Sequence, residues 1–147
     1  MKKQILKSTA ILGLFVMLAI ASVNAQTPSR VEVNIPFDFS VGKATLKAGT
    51  YSIKRTSGSA LAIRSADGKT NALVEAPLTI GSRGSKAGER LVFNQYGDQY
   101  FLSQVWLTVD TGRQVFPSGA ETKAAREYKL AKNNAKPQRV EIAMHAR

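Results

Sequence analysis

The stretch from Leu91 to Val109, LVFNQYGDQYFLSQVWLTV, decides the fold. Two apolar runs flank Asn94-Gln95-Tyr96-Gly97-Asp98, and Gly97 between its polar neighbours suits a tight turn, so the stretch predicts a β-hairpin. It holds the only Trp, two of the four Tyr and two of the six Phe of the chain. By period two, Phe101, Val105, Leu107 and Val109 fall on one side of the return strand, and Tyr100, Leu102 and Trp106 on the other. A strand that is apolar on both faces belongs at the centre of a sandwich or in the wall of a filled barrel.

Upstream, Val31, Val33, Ile35, Phe37, Phe39 and Val41 alternate with Glu32, Asn34, Pro36, Asp38 and Ser40, the clearest half-buried strand in the sequence. Pro36 cannot donate to a ladder, which places an edge or a bulge there. Gly49 supplies a turn, and Tyr51 and Ile53 open a second strand. Leu61 and Ile63 mark a third, ended by the Asp67-Gly68 turn, and Ala72, Val74 and Ala76 a fourth. Gly81 to Gly88, GSRGSKAG, has no large apolar residue and predicts a mobile loop.

Downstream, Asp110-Thr111-Gly112 reads as a turn, and Gln114 to Phe116 as a short strand stopped by Pro117. Ser118 and Glu121 have capping-box spacing, and the composition predicts a helix near 119–132. Its apolar stripe of Ala124, Tyr128 and Ala131 is thin. Asn133-Asn134 and Pro137 end it, and Val140 and Ile142 predict a last strand near 139–143. The fold class is therefore all-β, a single antiparallel sandwich or small barrel of about seven to nine strands with one late helix.

Residues 1–25 read as a secretory signal peptide: Lys2, Lys3 and Lys7, then the apolar run Ala10 to Ala21, then Ser22-Val23-Asn24-Ala25 with cleavage expected after Ala25. The apolar run is shorter than the roughly 20 residues of a membrane span. Residues 26–30 form a short leader and 31–147 one β domain. The signal segment holds three Lys and no acid, so the net charge of +11 falls to +8 on processing. The chain has no Cys, which excludes disulfides and thiol chemistry. A periplasmic or secreted basic protein meets an anionic envelope surface or polysaccharide; nucleic acid is not an expected partner.

Little in the sequence points to catalysis. The single His, His145, is third from the end and has no Cys or second His to complete a zinc site. A frayed terminal residue is its expected state. Glu32 and Asp38 share a strand face but lie roughly 20 Å apart along it. Asp67, Asp98 and Asp110 sit in or beside glycine turns, where Asp serves the backbone. Glu75 and Glu89 complete the acidic candidates, with no spacing that pairs them. The glycines of 81–88 lack the Gly-Lys-Ser/Thr ending of a phosphate loop, and no calcium loop is present. No enzyme, cofactor or metal is expected.

Two binding patterns remain. Tyr96, Tyr100 and Trp106 can form a stacking platform for sugars or an apolar ligand, against the commoner role of such rings as core. Lys123, Arg126, Lys129 and Lys132 spiral along one side of the helix, offset by Glu121 and Glu127, and can contact an anionic surface; a solvated helix face is the bland alternative.

Pro36-Phe37-Asp38-Phe39, Leu46-Lys47-Ala48-Gly49-Thr50-Tyr51 and Phe93-Asn94-Gln95-Tyr96-Gly97-Asp98 through Phe101-Leu102-Ser103 occur in that order behind the signal segment. Together they resemble a group of small exported β-rich proteins of soil bacteria. In that group the second motif reads Leu-Pro-Ala-Gly-x-Tyr; Lys47 stands in place of the Pro and loosens the turn. The resemblance spans most of residues 26–147 and implies export and a β-rich domain; it carries no activity and no functional residues. The expected function is thus an exported, non-enzymatic binding or structural module of the envelope. The alternatives are a lipocalin-like barrel with an apolar ligand, although the Gly-x-Trp pattern is missing, and a carbohydrate-active enzyme. An outer-membrane barrel is disfavoured by the late helix and the Arg147 terminus.

Overall fold

The computed structural model describes residues 31–82 and 88–146, so the segments expected to be signal peptide and leader, and most of the glycine-rich loop, lie outside the described residues. Two sheets pack face to face. One carries the order β12-β1-β4-β5-β6, the other β11-β8-β9-β10-β7 with a small β2–β3 hairpin joined to β9. The strands are β1 (Val31–Ile35), β2 (Phe39–Val41), β3 (Ala44–Leu46), β4 (Gly49–Arg55), β5 (Ala60–Ser65), β6 (Asn71–Glu75), β7 (Leu78–Gly81), β8 (Arg90–Tyr96), β9 (Gln99–Trp106), β10 (Thr111–Gln114), β11 (Gln138–Ala143) and β12 (His145–Ala146). Among the described residues the one helix, α1 (Gly119–Ala131), precedes β11. The pairing is antiparallel throughout except for one parallel bridge, Ser40 to Phe101. The result is an open sandwich and not a closed barrel.

The extra strands come from stretches that change sheet. Residues 31–41 keep their alternation, with Val31, Val33, Ile35, Phe39 and Val41 all buried. The backbone nonetheless breaks after Ile35, and β1 and β2 belong to different sheets. Pro36 stands at the corner, where its missing N–H removes no ladder bond. The carboxylate of Asp38 braces it, accepting from the Ala48 amide and from Lys47 Nζ, each at 2.8 Å. Tyr51 donates to the Lys47 carbonyl at 2.7 Å. Lys47, in place of the Pro, thus reaches Asp38 across the turn through a solvent-exposed ion pair. The C-terminal stretch changes sheets in the same way: β11 pairs with β8, β12 with β1, and Met144 is buried between them.

The core joins both sheets. Phe39 and Phe93 meet edge to face at 5.4 Å, Phe39 meets Tyr51 likewise at 5.4 Å, and Ile35, Ile53, Leu61, Ile63 and Leu91 surround them without solvent exposure worth counting. The hairpin is present, with Gly97 at φ +65° in its turn, a conformation that glycine adopts without strain. Its faces differ from the period-two expectation. Val92 lies opposite Gln104 and Phe93 opposite Leu102, so Ser103 is an extra residue in β9. This bulge places Leu102 and Val105 together in the central core. Phe101 and Trp106 belong to the outer side, where Phe101 meets the Tyr96 ring. β9 stops at Trp106, which leaves Val109 half exposed instead of inward. β10 begins three residues earlier than expected, because Gly112 pairs with Trp106 and gives its indole room.

Candidate functional site

Helix α1 lies against the outer face of the hairpin, and its first turn shows why. Ser118 caps it, its Oγ accepting from the Glu121 amide at 3.1 Å. The reciprocal half of the capping box is not made. The Glu121 side chain turns inward and accepts from Asn94 Nδ2 of β8 at 2.9 Å. Glu121 is only 5% exposed. Burial pushes its carboxyl above the usual glutamate range, while the Asn94 amide and the Tyr96 hydroxyl pull it back down. The Tyr96 phenol is raised in turn, first by burial and then by the charge of Glu121. At its far end the helix stops with Asn133 and Asn134 both at positive φ, a conformation that Asn tolerates.

Above this cluster lies a surface hollow of about 510 Å³. Tyr96 and Glu121 form its floor; Arg126, Lys129 and Leu130 stand on the helix side, and Pro117 at the entrance to the helix. Tyr96 is held edge-on between Phe101 and Tyr128, each ring 5.9 Å away.

The residues read as candidate sites are therefore divided. Arg126 and Lys129 share the hollow with Tyr96. Lys123 and Lys132 do not line it; nine residues apart, they fall on opposite sides of a helix. Lys123 instead faces Glu127 at 3.9 Å, an exposed pair worth little. The platform of three aromatics is not formed. Tyr100 points to the core side, stacked on Phe37 at 3.9 Å. Trp106 is 5% exposed, lies against Gly112, carries the Arg90 guanidinium 4.3 Å from its ring centroid, and donates from Nε1 to Gln104 at 3.1 Å. His145 is not frayed: it pairs with Glu32 in the edge strand β12.

Asn94 and the inward role of Glu121 were missed by the sequence reading. Ser-x-x-Glu is the signal for a cap, and nothing local shows that the fourth residue will be taken by a neighbouring strand. Among the described residues no group of three His, Asp or Glu converges, and no helix is long and apolar enough to cross a membrane. Comparisons of the chain with family models, with curated proteins and with solved structures found no match.

Proposed function

We propose that this chain is an exported, non-enzymatic domain of the cell envelope that holds an acidic polysaccharide in the hollow beside α1. One observation carries the reading: Arg126 and Lys129 line the same hollow as the Tyr96 ring, which rests edge-to-face against Phe101 and Tyr128. A sugar ring can lie on the tyrosine while its carboxylates meet the two cations through charge-assisted hydrogen bonds. Glu121 lies beneath, nearly covered and engaged by Asn94, and anchors the floor without being offered to the ligand. The net charge of +8 left after processing favours encounter with such a polymer.

The test is calorimetric titration with oligogalacturonate against neutral dextran oligomers. Binding of the acidic oligomer is expected to weaken with salt and to fall about tenfold or more in R126Q/K129Q, the loss of at least one charged hydrogen bond. Absence of binding, or equal binding of the neutral oligomer, would remove the acidic-polysaccharide reading. Export is tested separately: the protein recovered from the producing cell is expected to begin at Gln26, and retention of residues 1–25 would refute it.

A further inference from the structure

At one end of the sandwich the two sheets leave an open cleft of about 490 Å³. This is within the roughly 300–1,000 Å³ of small-molecule sites. Its apolar wall is the partly exposed Leu107, backed by Val31 and Val105, which are nearly covered and continue into the central core. Its rim carries three cations, Lys54, Arg55 and Arg113. Two of them occupy positions that the strand pattern reserves for apolar residues. Arg55 is two residues beyond Ile53, on the same inward side of β4, and Arg113 pairs with Val105 in β10. The two sheets thus each place an arginine at the mouth of the core. Among the described residues no carboxylate lines the cleft or pairs with any of the three; Arg113 reaches only the Pro77 carbonyl, at 3.5 Å.

We propose that this cleft binds a single-chain anionic amphiphile, a fatty carboxylate being the simplest case. The hydrocarbon chain lies along Leu107, over the edges of Val31 and Val105, and the carboxylate is taken by Arg55 and Arg113, whose planar forks match its geometry. Arginines at the rim of an open sandwich also shield apolar edges with their stems. That role alone predicts no difference between a fatty acid and a fatty alcohol, and it leaves unexplained why both sheets spend an inward position on a cation. The proposal uses neither Arg126 nor Lys129, so it stands apart from the polysaccharide reading.

The experiment is calorimetric titration of the purified protein with dodecanoate below its micelle concentration, with dodecanol, and with phosphatidylglycerol vesicles. Saturable binding of dodecanoate is expected at one site, with dodecanol about tenfold weaker or more, one charged hydrogen bond being worth about that factor. R55Q/R113Q is expected to lose the preference for the acid, whereas L107S weakens acid and alcohol alike. Thermal melts of both variants show whether they are folded; L107S supplies the test if the double variant is not. Absence of saturable binding overturns the proposal, as does equal affinity for dodecanol. So does a folded R55Q/R113Q with parental affinity, or binding to vesicles without binding of the monomer.

Discussion

Residues 31–41 and residues 99–106 carry side chains into the same core, and they depart from an ideal strand in opposite ways. In the first stretch the backbone breaks at Pro36 and passes from one sheet to the other, yet every second side chain remains inward. In the second the strand runs without interruption inside one sheet, yet Ser103 shifts the alternation by one residue. Period two therefore reports which side chains are buried only while the register is unbroken, as in 31–41, and it fails past the bulge; in neither stretch does it report how many strands bury them. The reason is that burial depends on where side chains point, whereas strand continuity depends on where backbone N–H and C=O groups find partners.

This contrast can be broken by deletion. Removing Asn34 turns Val31 and Val33 out of the core or forces Ile35 out instead, since each pairs in a fixed register with β4. With about 1.5–3 kcal/mol for each apolar side chain moved, the expected loss is roughly 3–6 kcal/mol, read by denaturant unfolding. A substitution in the hairpin region comes next. In G112A the new methyl would sit 2.6 Å from Cδ2 of Trp106, so the indole must move. The expected loss is about 1–3 kcal/mol, with the emission of the only Trp shifting to the red; unchanged blue emission would mean that the ring is not held by Gly112.

Deleting Ser103 is the sharper case because a smaller effect is expected from the same kind of lesion. The deletion leaves Leu102 opposite Phe93 and Gln104 opposite Val92 in an unbroken ladder. What is lost is the Ser103 carbonyl, which accepts from the Val115 amide at 2.8 Å and from Gln114 Nε2 at 3.0 Å. A cooperative fold weakened by roughly 1–2 kcal/mol is expected. Collapse as severe as that of the Asn34 deletion would show that the bulge is required for the fold and is not an insertion that the ladder absorbs.

The smallest effect separates the two regions by the sign of their pH response. Asp38, at the corner of the first stretch, is held below the usual aspartate range by its hydrogen bonds to Lys47 and the Ala48 amide. Its contribution is present above the ordinary value of 3.8 and is lost as pH falls through the lowered one. Glu121, docked on the hairpin, is raised by burial. Its term favours folding below the ordinary value of 4.5 and is lost as pH rises through the raised one. D38N is therefore expected to flatten the acid limb of the melting profile. E121Q, which keeps an oxygen for Asn94, is expected to flatten the neutral limb, gaining on the parent as pH rises.

Much of this fold was legible in the chain order. The alternation of 31–41, the glycine turns at Gly68 and Gly97, the Ser118 cap and the strand near 139–143 all rest on local chemistry, and each stands where local chemistry placed it; β12 beyond that strand was not foreseen. The candidate site was legible only in part. Arg126, Lys129 and Tyr96 could be named as charges and a ring, but their meeting depends on α1 lying across β8, a contact between residues some thirty positions apart.

The sequence alone determined that the chain is an all-β sandwich or barrel with one late helix and no thiol chemistry, because periodicity, turn residues and composition act over a few residues. Tertiary structure alone decided between sandwich and barrel, the parity of Leu102 and Val105, the inward turn of Glu121 and the two arginines at the mouth of the core. Each of those depends on a partner far away in sequence, and a backbone or side-chain group commits to such a partner only when packing brings it within reach.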